Sequence, residues 1–160
     1  MKNIIVLVEP DIPYNTGNIG RTCVIADAEL HLVKPLGFSL ADKYIKRSGM
    51  DYWEDVDLKV WDNLEEFSMF MEKEIASGNY QVIYCTTKTS QTLAELKVEK
   101  PCIIIFGSES RGLPEDFLFK NPERCYRIPM SENYRSLNLS NSEAIVLYEV
   151  LRQQGYPGLH

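Results

Sequence analysis

Apolar residues in this chain fall into short runs with two different periods. Ile4–Val8, Leu58–Trp61, Cys102–Phe106 and the stretches 30–33, 82–85 and 124–128 are short, rich in β-branched and aromatic side chains, and bounded by turn-forming residues. They read as strands. Between them, apolar positions recur at helical spacing over 18–28, 39–47, Leu64–Ala76 and a last stretch after residue 140. Ser39 is placed to cap the second of these helices, with Gly49 just past its end. Asn63 is placed to cap the third, with Glu66 three positions on and Gly78 as its stop. Before the last helix, Ser140 and Glu143 fit the S-x-x-E capping box, and Ala144, Leu147, Tyr148 and Leu151 form an apolar stripe behind it. Residues 114–120 have room for one or two helical turns. Alternating strands and helices of this kind predict an α/β fold, a mostly parallel sheet with helices on both faces.

Composition narrows the class. A length of 160 residues with 44% hydrophobic and 25% charged side chains is expected to form one domain over 1–160. No run approaches the roughly 18 apolar residues of a membrane span. The opening MKNIIVLVEP is interrupted by Glu9 and Pro10 and reads as a first strand rather than a signal peptide. The cysteines at 23, 85, 102 and 125 form no C-x-x-C pair, and three lie in or beside apolar runs. They read as small core residues of a cytoplasmic protein. With only His31 and His160, a histidine-based metal site or triad lacks its ligands, so no metal is expected. The net charge of −6 argues against bulk attraction to nucleic acid, but leaves room for a local basic patch. Lys43, Lys46 and Arg47, spaced i, i+3, i+4, share one helical face that is either such a patch or a solvated surface.

Three loops follow strand ends, where open α/β sheets hold their ligands. The first, NTGNIGR over 15–21, sets Arg21 in an otherwise apolar helix, and Gly20 there implies close approach of another backbone or a ligand. The second, FGSESRGLP over 106–114, is a glycine-bracketed turn whose backbone N–H groups suit a nucleotide-like ligand. The third, over 128–140, crowds Ser136, Leu137, Asn138 and Ser140 between a strand end and a helix start. None is a dinucleotide fingerprint or a P-loop. Each alone also fits a bland reading: a snorkelling arginine, a Glu109–Arg111 surface pair, a capped connection.

Taken together the loops resemble the three motifs of the SPOUT superfamily of RNA methyltransferases. N-x-G-x-x-x-R is met by Asn15, Gly17 and Arg21, and F-G-x-E-x-x-G-L-P by Phe106, Gly107, Glu109, Gly112, Leu113 and Pro114. The third motif, I-P-M followed by S-L-N-L-S-N, is met by Ile128 to Met130 and Ser136 to Asn141. EPDIPYNTGNIGRTC from Glu9, DYW from Asp51, TTK from Thr86 and GYPG from Gly155 resemble the TrmL (YibK-like) branch of small tRNA methyltransferases. Gly20 departs from that branch, where a larger apolar residue or alanine is usual.

The resemblance implies a deep trefoil knot in the C-terminal segment and a homodimer with the last helix at its interface. It implies transfer of a methyl group from S-adenosyl-L-methionine to the ribose 2′-hydroxyl of the wobble nucleotide, cytidine or uridine 34, in the tRNA anticodon stem-loop. Carried over residue by residue, the cofactor lies between backbone groups at Cys85, Thr86, Gly107, Ile128, Met130, Ser136 and Leu137. Arg21 matches the catalytic arginine, with Asn15, Glu109, Ser136 and Asn138 orienting ribose and loops, and Lys43, Lys46 and Arg47 are the candidate RNA contacts. The alternatives are an rRNA 2′-O-methyltransferase, which often carries an added RNA-binding domain, and a non-catalytic module that binds nucleotide or RNA.

Overall fold

A computed structural model describes residues 1–134 and 137–160, and Ser136 lies outside the described residues. The strands are β1 (Ile4–Val8), β2 (Glu29–Val33), β3 (Leu58–Trp61), β4 (Gln81–Cys85), β5 (Cys102–Phe106) and β6 (Cys125–Tyr126). The helices are α1 (Pro13–Ile25), α2 (Lys43–Gly49), α3 (Leu64–Ala76), α4 (Glu115–Phe119) and α5 (Leu139–Gln154). The six strands form one sheet in the order β3-β2-β1-β5-β4-β6, with every pairing parallel. β1, β4 and β5 are buried almost throughout, which is why they read as continuous apolar runs rather than alternating ones.

Helices cover both faces, as the pattern predicts. On one face Ile5, Leu7, Leu30, Leu32, Ile83 and Ile104 pack with Ile19 and Cys23 of α1 and Val146, Leu147 and Val150 of α5. On the other, Ile4, Val6, Val8, Ile103 and Ile105 pack with Phe67 and Met71 of α3 and Leu118 of α4. All four cysteines are free thiols, three of them buried. Burial pushes Cys102 up to about 12, the behaviour of a core residue rather than a reactive thiolate.

Several boundaries differ from the sequence pattern, each for a local reason. α1 begins at Pro13, not at residue 18, because proline at the first position has its φ preset and no N–H to satisfy. Asn15 and Gly17 therefore sit on a helix rather than in a loop, and the helix stops at Ile25. α2 is capped by Asp42, whose carboxylate accepts from the Tyr44 N–H at 2.8 Å. Ser39 instead closes the preceding turn by accepting from the Ala41 N–H at 3.2 Å, and Gly49 is the last residue of α2 rather than the one past its end. α3 is capped by Asn63 as expected. α5 is capped by Asn138, whose Oδ1 accepts from the N–H groups of Ser140 (2.9 Å) and Asn141 (3.3 Å). The expected Ser140–Glu143 box does not form, since Glu143 is drawn wholly into the core. β6 covers two residues, and Arg127 adds only an isolated bridge to Thr92. Among the described residues no helix is long and apolar enough to cross a membrane.

Candidate active site

The ends of β1, β5, β4 and β6 lie side by side, and one carboxylate ties the segment that leaves β5 to the one that leaves β1. α1 has no side-chain cap of its own at Ile12. Glu109, from the loop after β5, supplies the missing acceptors across the fold. Its Oε1 accepts from the Asp11 N–H at 2.9 Å, and its Oε2 from the Ile12 N–H and from Asn15 Nδ2, both at 3.1 Å. A negative charge at a helix N-terminus is favoured by the backbone dipoles as well as by the hydrogen bonds. Asp11 reciprocates, its carboxylate accepting from the backbone N–H (3.2 Å) and hydroxyl (2.5 Å) of Ser110.

The relay continues into the third loop. Asn138 Nδ2 donates to Asn15 Oδ1 at 3.2 Å while its Oδ1 caps α5 and accepts from the Ser140 hydroxyl at 2.6 Å. Asn18 Nδ2 donates to that hydroxyl at 3.1 Å. Glu109, Asn15 and Asn138, one from each sequence loop, are thus joined by two direct hydrogen bonds. Asp11, Asn18 and Ser110 are further members that no single motif signals, because their partners are remote in the chain.

This relay walls a cavity of about 500 Å³, within the usual size of small-ligand sites. Of the residues expected to hold a cofactor, Cys85, Thr86, Gly107, Ile128, Met130 and Leu137 all line it, and so do Asn15, Glu109 and Asn138. Lys88, Arg111 and Arg127 also line it, three cations that the sequence pattern does not assign to a site, although Lys88 closes the TTK stretch and Arg111 lies in the glycine-bracketed turn. Gly107 is required by a close approach, since a Cβ there would run into the backbone of Gly112 and Leu113, with Gly112 Cα at 2.6 Å. Gly112 holds φ at +69°, a conformation that costs other residues strain.

Arg21 is not among the residues lining the cavity. It projects from α1 nearly two turns beyond Asn15, its Nη1 3.0 Å from Met50 Sδ and its Cζ 5.4 Å from the centre of the Tyr52 ring. Gly20 explains the arrangement. A Cβ there would stand 2.7 Å from the Trp53 ring, so its absence lets that ring sit on α1 and brings the Met50–Asp55 turn against Arg21. α2 packs on α1 by a similar device, since a Cβ on Gly17 would collide with Ser48 Oγ and the Ile45 carbonyl. Lys43, Lys46 and Arg47 are exposed on α2, away from the cavity lining.

Comparison with known proteins gives concordant results. The SpoU rRNA Methylase family matches residues 2–148. A tRNA (cytidine(34)-2′-O)-methyltransferase of Methylovorus glucosotrophus is 44% identical over 155 residues, 96% of this chain and 97% of its own length. A solved structure reported for the 2-OH methylation of C/U34 on tRNA superposes with a TM-score of 0.86 at 36% identity, covering 96% of this chain and 97% of its own. An AdoMet-bound rRNA methyltransferase of Sinorhizobium meliloti superposes with a TM-score of 0.83 at 25% identity, covering 94% of this chain and 56% of its own.

Proposed function

The chain belongs to the SpoU rRNA Methylase family, and from that premise we propose that it methylates the ribose 2′-hydroxyl of the wobble nucleotide, cytidine or uridine 34, of tRNA, with S-adenosyl-L-methionine as donor. The observation that carries this reading is the Glu109–Asn15–Asn138 relay, which gathers all three motif segments around one cavity. The choice of tRNA over rRNA rests on the near full-length similarity to proteins named for position 34 of tRNA.

The cavity fits the donor chemically. The close approach at Gly107 leaves a surface of backbone without side-chain cover, suited to a flat nucleoside, and Cys85, Thr86, Ile128, Met130 and Leu137 supply mixed walls. Arg111 and Arg127 offer cations for a carboxylate, whereas Lys88 is paired with Glu115 at 3.0 Å. When bound, S-adenosylmethionine supplies an already activated methyl group on a sulfonium. The protein's task is then alignment, which in general is worth roughly 7–11 kcal/mol.

During transfer the carbon–sulfur bond breaks, a carbon–oxygen bond forms to O2′, and the hydroxyl proton must leave. No histidine lines the cavity to take it. A guanidinium is a donor and not a base, so Arg21 acts by holding the adjacent phosphate and the developing negative charge on O2′, with phosphate or solvent receiving the proton. Asn15, Glu109, Ser136 and Asn138 orient the ribose and the loops.

The same reading assigns the chain a single methyltransferase domain over 1–160, a C-terminal deep trefoil knot, a cytoplasmic setting and a homodimer. Ile145 and Tyr148, exposed at 42% and 39% on α5, support an interface there. Lys43, Lys46 and Arg47 would meet phosphates of the anticodon stem-loop.

The test is transfer of labelled methyl to unmodified total tRNA, with rRNA in parallel and the labelled nucleotide located by nuclease digestion and mass spectrometry. A 2′-O-methylated nucleotide 34 is expected. Label in rRNA alone would replace the substrate, and no label in either would refute the reading.

A further inference from the structure

Glu143 is a carboxylic acid that takes no part in the relay or in the proposed reaction. Its relative exposure is 0%, the only fully enclosed Asp or Glu among the described residues, and neither of its oxygens has a hydrogen-bond partner. An uncompensated buried charge costs several kcal/mol or neutralises itself, so such a group is normally selected against. Burial pushes its carboxyl well above the usual carboxylate range.

Its place in the fold gives it a use. Leu139, Ser142 and Val146, three α5 residues within one turn of Glu143, line the cavity, so Glu143 stands beside that wall. Cys85, which also lines the cavity at the end of β4, feels its field after the effects of burial and of Cys125. From α1, Cys23 feels it after the effect of burial. Thr16 Oγ1, seven positions before Cys23 on the same face of α1, is the only other buried side-chain N or O without a partner among the described residues. The β5 residues on this face, Ile104 and Phe106, are apolar, and the charged residues of α5 itself, Glu149 and Arg152, pair with each other at 2.8 Å. Among the described residues no cation hydrogen-bonds to the carboxyl, and burial alone accounts for its shift. The position lacks a positive charge, and the adjoining cavity can receive one.

We propose that Glu143 is a specificity-determining residue for the cationic form of the methyl donor: its carboxyl releases its proton to solvent when a sulfonium occupies the cavity, and recovers it when methyl transfer leaves a neutral thioether. The inference rests on the donor assigned above. Glu143 would hold the charged donor more tightly than the spent, uncharged one, and so assist product release. An opposite charge at short range in a buried setting shifts a carboxylate by about one to three units, each worth a factor of ten in affinity for the ionised partner.

The experiment is titration calorimetry of the whole protein with S-adenosylmethionine and S-adenosylhomocysteine, at one pH, in buffers of different ionisation enthalpy. The wild type is expected to show a buffer-dependent heat with the sulfonium, reporting up to about one proton released, and a buffer-independent heat with the thioether. Glu143→Gln should abolish the dependence and lower the preference for sulfonium over thioether by about tenfold. Glu143→Leu, matched to the apolar surroundings, should do the same if the glutamine variant folds poorly. Buffer-independent heat with S-adenosylmethionine in the wild type, or an unchanged dependence in both variants, overturns the proposal alone. Absence of any heat with either compound overturns the donor assignment with it.

Discussion

Glu109→Gln keeps the length of the side chain and removes one acceptor. In the folded chain one carboxylate oxygen serves the Asp11 N–H and the other serves two donors, the Ile12 N–H and Asn15 Nδ2. A glutamine can meet only one side. Its best orientation turns the amide oxygen to the pair and points its own NH₂ at the Asp11 N–H, which leaves two donors facing each other. Hydrogen bonds to a charged group are worth roughly 1.5–3 kcal/mol each, less where solvent reaches them as it does at Ile12. The carboxylate's favourable position at the start of α1 adds roughly 0.3–1 kcal/mol. The expected loss is about 2 kcal/mol in urea unfolding with an unchanged denaturant slope, together with faster hydrogen exchange at the Asp11 and Ile12 amides. Because Asn15 and Asn138 are held through Glu109, methyl transfer should fall by more than donor affinity does. A variant within about 0.5 kcal/mol of wild type, with unaltered amide protection, would refute the clamp.

Gly107→Ala should abolish donor binding in calorimetry and destabilise by about 1–3 kcal/mol, since its Cβ would meet the Gly112–Leu113 backbone. Arg21→Ala should abolish methyl transfer to tRNA while leaving donor affinity nearly intact, and a parallel loss of donor affinity would contradict its role. Charge reversal of Lys43, Lys46 and Arg47 should weaken tRNA binding and flatten its salt dependence by about two to three, whereas an unchanged slope would return them to solvated surface. Glu143 has a folded pKa above its unfolded value, so the folded state keeps a proton that the unfolded chain releases, and stability should fall as pH rises above the ordinary value of 4.5. Relative to Glu143→Leu, wild type should lose up to about 1.4 kcal/mol per pH unit in that window, and parallel urea titration curves would refute it.

The parts of this fold legible in the sequence are those governed by local period and local chemistry. β5 is a run of apolar residues between Pro101 and Gly107, and α3 carries its cap, its stripe and its stop in the right order. The cavity wall was legible for a related reason: glycines, small polar residues and strand ends mark where backbone is left uncovered, and six of the seven cofactor positions that the resemblance implies, Cys85, Thr86, Gly107, Ile128, Met130 and Leu137, line one space. What the sequence hid depends on pairs remote in the chain. Asp11 and Ser110 are 99 positions apart, and nothing in either neighbourhood announces the other.

The misread capping box at α5 shows where local pattern gives way. Ser140 and Glu143 satisfy the motif on paper, yet Asn138 two residues earlier caps the helix and still has an amide to donate to Asn15. One residue thus ends a loop, starts a helix and ties it to α1. In the folded helix residue 143 lies on the stripe between Leu139 and Val146 and so inside the protein rather than at a solvated helix end. A carboxylate free to cap would be ordinary surface chemistry. The same carboxylate drawn into the core while Asn138 takes the cap is a buried acid beside a cavity. Gly20 argues in the same direction, because the close approach its sequence position implies is real, but the approaching group is the Trp53 ring rather than a backbone or ligand. Neither outcome is visible from spacing alone, since each is decided by the tertiary neighbours at the position.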